Sequence, residues 1–132
     1  ETVVDARPRL WEKLIYLCPF AAFTGAARSP IGKLWSDSGT QVRFMAAVAE
    51  VEAVARAEGG DVSVTVAREI REYMDALPAA TRSSMLIDLL QGKRTEVEAL
   101  QGTIVRRGQA LGVATPIVTA LYEVLRPYAR GK

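Results

Sequence analysis

The sequence predicts an all-α domain of about six helices within its 132 residues. Apolar residues recur every three or four positions along several segments, as expected for helices with one buried face. Glycine or proline stands near the ends of these segments, where helices commonly start or stop. Residues 62–66 alternate like a strand, but no second strand is available to pair with them. We therefore interpret residues 62–66 as a loop that leads into a helix.

The first half of the chain predicts a linker followed by three helices. Residues 1–8 are interpreted as the linker, because Pro8 favours an extended residue before it and a helix start at its own position. Pro19 lies inside the first helix and is expected to kink it, because its ring lacks an N–H and clashes with the preceding turn. The predicted helices are residues 10–27, 40–58 and 65–77, with a loop over residues 29–39.

The second half predicts three further helices. Gly92 ends the fourth, and Thr95 with Glu98 forms a capping box at the start of the fifth. Thr115 as N-cap and Pro116 at the first helical position mark the start of the last helix. The predicted helices are residues 81–90, residues 96–111 and a segment that begins at residue 116.

Composition excludes several classes of function. With 49% hydrophobic and 24% charged residues, the chain is globular rather than disordered. A net charge of +2, with basic and acidic residues interspersed, argues against a nucleic-acid partner. The absence of histidine and the single cysteine, Cys18, leave no metal-binding set, no catalytic histidine and no internal disulfide. No apolar run is long enough to span a membrane, so we expect a cytoplasmic protein.

Three polar residues set among apolar helical residues are candidates for a site: Lys13, Ser84 and Glu96. A lysine shielded from water is a candidate proton donor, whereas a lysine at a helix edge extends into solvent, and both interpretations of Lys13 stay open. Glu96 lies in a predicted first helical turn, where the helix dipole favours a carboxylate. Ser84 carries no signal beyond its place in a helix.

Five short motifs occur in order along most of the chain. They are WEKL at residues 11–14, Glu50 with VARAEG at 54–59, SML at 84–86 with RTE at 94–96, LxGxIV at 100–105, and GVATP at 112–116. This set resembles the C-terminal domain of the ketopantoate reductases (2-dehydropantoate 2-reductases). The resemblance implies a helical domain like the C-terminal domain of 6-phosphogluconate dehydrogenase.

The resemblance also implies a function and a partner domain. Family members hold NADPH in an N-terminal Rossmann domain and reduce 2-dehydropantoate to pantoate, on the way to pantothenate. By motif, the family's proton-donating lysine falls on Lys13, its substrate-contacting serine on Ser84, and its glutamate beside substrate and cofactor on Glu96. The chain begins at Glu1 without methionine, so we expect residues 1–132 to be the C-terminal part of a longer protein whose Rossmann domain is absent here. A homodimer remains open.

The sequence departs from the family on the first helix. The family's asparagines one and two turns after the lysine correspond to Leu17 and Ala21, and a third corresponds to Ile31. Thr24 and Arg28 are the polar groups left on that face, which makes Thr24 a candidate substrate contact. We therefore expect a reductase with a less polar pocket, acting on a 2-keto acid or lactone other than 2-dehydropantoate.

A non-catalytic helical module for dimerisation or binding is the competing hypothesis. Its apolar surfaces would be the last helix and the apolar part of the first. Without a nucleotide-binding domain the isolated chain is expected to be inactive. A glycine-rich GxGxxG motif after a strand in the upstream coding sequence would favour the enzyme.

Overall fold

The structure, a computed structural model, describes residues 7–132, with side chains described from Leu10 onward. These residues form seven α-helices, and no strand occurs between residues 7 and 132. None of the helices in this range is long and apolar enough to cross a membrane. The helices are α1 (Arg7–Ala27), α2 (Ile31–Trp35), α3 (Ser38–Ala57), α4 (Val66–Ala76), α5 (Ser84–Leu90), α6 (Thr103–Leu111) and α7 (Pro116–Leu125), with a π-helical turn at Glu98–Gly102 and a 3-10 turn at Arg126–Tyr128.

The predicted all-α class is confirmed, with differences at individual elements. Residues 62–65 form a loop and turn that enter α4, as interpreted from the sequence. The helix α1 already includes Arg7 and Pro8, so the predicted linker over residues 1–8 extends too far, and its residues 1–6 lie outside the described part of the chain. The helix also runs unbroken through Pro19, and the predicted kink stays a prediction.

The short helix α2 lies inside the segment predicted as a loop. Ile31 is buried, and its backbone N–H donates to Thr81 O at 2.9 Å. The N–H of Gly32 donates to Ala79 O at 2.9 Å, and a Cβ at Gly32 would lie only 2.4 Å from the Cβ of Ala79. Glycine thus permits a close backbone approach, and α2 is held by these tertiary contacts rather than by its own periodicity.

Helix α1 lies at the centre of the fold and contributes to two apolar clusters. The main cluster joins α1 to buried residues of α2, α3, α4, α6 and α7. The second cluster lies between α1, α5 and the end of α7 and consists of Ala21, Ala22, Met85, Val97 and Leu125. Elements that carry the candidate site residues therefore all pack against one helix.

The capping box predicted at Thr95 and Glu98 is wrong. The π-helical turn has no side-chain cap, and the hydroxyl of Thr95 is buried without a hydrogen-bond partner in the described structure. The carboxylate of Glu98 instead accepts from Tyr122 Oη at 2.8 Å and from Arg106 Nη1 at 3.0 Å. Side-chain contacts with α6 and α7 thus replace the local cap.

Candidate functional site

Lys13 lies on the exposed surface of α1, at the rim of a groove between α1 and α4. The groove has a volume of about 330 Å³. The side chain of Lys13 is exposed, so this chain alone does not shield it from water. The groove is lined by Glu12, Lys13, Tyr16, Val66, Glu69, Ile70 and Tyr73.

Two tyrosines face each other in this groove. The rings of Tyr16 and Tyr73 meet edge to face with centroids 5.0 Å apart. Burial, with a smaller contribution from Tyr73, raises the pKa of the Tyr16 phenol well above its usual value, so the phenol stays protonated at neutral pH. Sequence patterns did not indicate either tyrosine as a site residue, because only the fold brings Tyr16 of α1 and Tyr73 of α4 together. Tyr73 is half exposed.

Ser84 is the exposed first residue of α5. Thr24 of α1 supports the start of α5 through its contact with Ser83. Ser83 Oγ accepts from Leu86 N at 3.0 Å, which caps α5, and lies 2.6 Å from Thr24 Oγ1. Thr24 is fully buried and donates to Phe20 O at 2.7 Å. Its observed contacts therefore fix the element that carries Ser84, and a direct substrate contact by Thr24 stays a prediction.

Glu96 is exposed in the turn before the π-helical turn. The preceding residue, Thr95, donates its N–H to Ala129 O at 3.0 Å. Gln101, within the π-helical turn, is fully buried and donates to Cys18 O of α1 at 2.9 Å. Glu96 is thus carried by a segment that is attached both to the C-terminal residues and to the helix that bears Lys13.

Lys13, Ser84 and Glu96 are all exposed, and they lie on three different elements. These elements are attached to α1, through its own backbone, the Thr24–Ser83 pair and the Gln101–Cys18 bond. Neither Ser84 nor Glu96 lines the groove at Lys13. The described part of the chain therefore does not bring the three residues together in one pocket.

Cys18 is not a candidate site residue. Its side chain is fully buried in α1, and burial raises the pKa of the thiol to about 12. A thiol in this environment stays protonated and is a poor nucleophile. Cys18 is therefore a core residue.

The three positions at which the family carries asparagine are apolar in the structure. Leu17 is half-buried, and Ala21 is packed in the second cluster beside Met85 and Val97. Ile31 is buried in the main cluster. None of these side chains can hydrogen-bond a ligand, so any polar recognition must come from other residues.

The all-α fold, with an exposed lysine on its central helix, agrees with the class that the motifs indicated. That class is the helical domain of a reductase. The chain belongs to the ketopantoate reductase family: residues 5–129 match the sequence profile described as Ketopantoate reductase PanE/ApbA C terminal. The recognition of this family from short motifs is thereby confirmed.

Relatives show the same relationship over nearly the whole chain. The 2-dehydropantoate 2-reductase of Halobacterium salinarum is 36% identical over 128 residues, which are 96% of this chain and 42% of the relative. The crystal structure of a PanE/ApbA family ketopantoate reductase from Ralstonia eutropha JMP134 superposes with a TM-score of 0.88 at 37% identity, covering 98% of this chain and 43% of that one. A dimeric ketopantoate reductase from Staphylococcus aureus, 24% identical, shares the fold with a TM-score of 0.90 over 96% of this chain and 44% of its own. This chain spans less than half the length of these relatives.

Proposed function

We propose that this chain is the substrate-binding and catalytic domain of a cytoplasmic, NADPH-dependent reductase of 2-keto acids or lactones. The carrying observation is Lys13, which occupies the family's lysine motif and stands exposed at the rim of a groove on the central helix. Exposure in this chain is what a residue needs if a nucleotide-binding domain is to cover it.

Lys13 supplies the proton for the reduction. NADPH, when bound, would supply the hydride that reduces the carbonyl carbon, and the carbonyl oxygen would then carry developing negative charge. The ammonium of Lys13 stabilises that charge and transfers a proton to the oxygen, which gives a 2-hydroxy acid. Water then returns a proton to Nζ of Lys13.

Ser84 and Glu96 orient the substrate and the cofactor for this reduction. The exposed hydroxyl of Ser84 can donate to a substrate carboxylate, and the exposed carboxylate of Glu96 can accept from hydroxyl groups of substrate or cofactor. Ser84 and Glu96 therefore fit a cofactor that bears hydroxyl groups. NADPH would be held mainly by the N-terminal Rossmann domain of a longer parent protein.

The substrate is expected to be less polar than 2-dehydropantoate. Leu17 and Ala21 offer no hydrogen bonds where the family offers amides. The groove beside Lys13 is lined largely by Val66, Ile70 and two tyrosines, which suit an apolar or aromatic side group.

Steady-state kinetics of the full-length parent tests this proposal. NADPH oxidation is measured against a panel of 2-keto acids and lactones, with 2-dehydropantoate included. We expect an apolar 2-keto acid to give the higher kcat/KM, and Lys13→Ala to lower kcat about 100- to 10,000-fold. Lys33→Ala, an exposed lysine of α2, is the matched control. Undiminished reduction by Lys13→Ala would refute the role of Lys13, and ordinary turnover of 2-dehydropantoate would refute the altered pocket.

A non-catalytic dimerisation module is the second candidate. Leu10 on α1 and Val124 on α7 are 59% and 55% exposed, as a partner-binding surface requires. A parent protein without turnover, together with a dimer dissociated by Val124→Asp, would favour this function over the reductase.

A further inference from the structure

A second groove, distinct from the one at Lys13, lies beside the last residues of the chain. It has a volume of about 560 Å³ and shares no lining residue with the first groove. Three of its seven lining residues are arginines, and one is a glutamate. The lining residues are Arg94, Thr95, Glu98, Arg126, Pro127, Ala129 and Arg130.

The one carboxylate in this groove is already paired. Glu98 accepts from Tyr122 Oη and from Arg106, which lies outside the groove lining. These two bonds, the tyrosine first, lower the pKa of Glu98 and keep it ionised at neutral pH. Its charge is therefore balanced mainly by Arg106, with a smaller contribution from the charge of Arg126, and the groove keeps an excess of positive charge.

The groove arginines form no close ion pair in the described part of the chain. Between residues 10 and 132, no ion pair within 4.0 Å involves Arg94, Arg126 or Arg130. The guanidinium of Arg126 lies over the ring of Tyr122, 5.5 Å from its centroid. Unpaired guanidinium groups that converge on a groove are typical of sites for oxyanions.

A backbone hydrogen bond holds the two segments of this groove together. The N–H of Thr95 donates to Ala129 O at 3.0 Å. This bond keeps the segment of Arg94 beside the C-terminal residues that carry Arg126 and Arg130.

We propose that this arginine groove binds a phosphate group of a small ligand. The exposed side chains of Arg94, Arg126 and Arg130 supply charge-assisted hydrogen bonds to the phosphate oxygens. The site does not depend on the reaction proposed for Lys13, because the two grooves are lined by different residues. Two sources share this chemistry: a phosphate of the nicotinamide dinucleotide, or a separate phosphorylated metabolite.

Titration of the 132-residue chain with pyrophosphate, followed by amide chemical shifts in NMR spectra, tests the site. Chloride at matched ionic strength is the reference, since nonspecific charge screening affects all exposed arginines alike. We expect saturable shifts at residues 94–98 and 126–130. The variant Arg94→Gln/Arg130→Gln should weaken binding about tenfold or more, because each charge-assisted bond contributes about that factor.

A control variant separates a built site from surface charge. Arg43→Gln removes an exposed arginine of α3, far along the sequence from the groove, and is expected to leave pyrophosphate affinity unchanged.

The outcomes that overturn the proposal are specific. They are shifts that do not saturate, an equal loss of affinity in Arg43→Gln and in the double arginine variant, or full affinity in that double variant. Lys13→Ala should bind pyrophosphate normally, so failure of the reductase proposal leaves this test intact. If NADP⁺ saturates the same resonances more tightly than pyrophosphate, the phosphate belongs to the cofactor. Tighter binding of pyrophosphate assigns the groove to a separate phosphorylated ligand.

Discussion

Glu50 on α3 provides the acceptors for the first free amides of α7. Its Oε2 accepts from Ile117 N at 3.0 Å and its Oε1 from Val118 N at 2.9 Å. Pro116, at the first position, has no N–H to satisfy, so these two amides are the ones exposed at the helix start. A carboxylate also interacts favourably with the helix dipole at this end. One side chain therefore links the buried α3 to the orientation of α7.

Removing this carboxylate should destabilise the whole domain. Glu50→Ala leaves two amides uncapped, and we expect the free energy of unfolding to fall by about 1–3 kcal/mol. Glu52→Gln is the matched control, since Glu52 forms an exposed pair with Arg56 at 2.8 Å on the same helix, and such pairs contribute about 0–1 kcal/mol. Urea unfolding followed by circular dichroism measures both variants. Equal effects of the two substitutions would show that Glu50 is not a cap.

Element by element, the π-helical turn Glu98–Gly102 has the most connections for its length. Its wide turn is closed by Gly102 N donating to Val97 O at 2.8 Å. Glu98 bonds Tyr122 of α7 and Arg106 of α6, while Gln101 bonds the carbonyl of Cys18 in α1. A π-helical turn places one extra residue in the helix, and such turns often occur near functional sites. Here it connects the RTE segment to three helices.

The acid sensitivity of this connection follows from Glu98. Hydrogen bonding by Tyr122, and then by Arg106, lowers the pKa of Glu98 below its reference value of 4.5. A carboxyl group with a lowered folded-state pKa stabilises the fold above its unfolded-state pKa, and this contribution is lost as the pH falls through the folded-state value. Stability should therefore decline more steeply below about pH 4.5 in the native chain than in Glu98→Gln.

Thermal unfolding as a function of pH checks this expectation. Glu123→Gln removes an exposed carboxylate from α7, the helix of Tyr122, and serves as the control. Only Glu98→Gln should flatten the acid side of the stability profile. A profile parallel to that of the native chain would mean that the Glu98–Tyr122 bond does not contribute in solution.

At the scale of the whole molecule, periodicity predicted the long helices, because their buried apolar residues recur every three or four positions. It could not find α2, whose five residues depend on Ala79 and Thr81 from a distant segment. The cap of α7 comes from Glu50, 66 positions before Pro116, and only tertiary structure can reveal it. Lys13, Ser84 and Glu96 were found through short motifs, whereas Tyr16 and Tyr73 required the packing of α4 on α1.

The separate, exposed positions of Lys13, Ser84 and Glu96 predict that this chain alone does not oxidise NADPH. A hydride transfer needs donor, acceptor and acid held in one water-excluding site, and neither of the two grooves described here is lined by all three residues. The chain also covers only 42% of its Halobacterium salinarum relative. We expect NADPH absorbance to stay constant when the purified chain is mixed with 2-keto acids, while the full-length parent consumes NADPH under the same conditions. The Lys13→Ala parent, folded but impaired, controls for contaminating reductases. If the isolated chain turned over NADPH and Lys13→Ala abolished that activity, this chain would already contain a complete site.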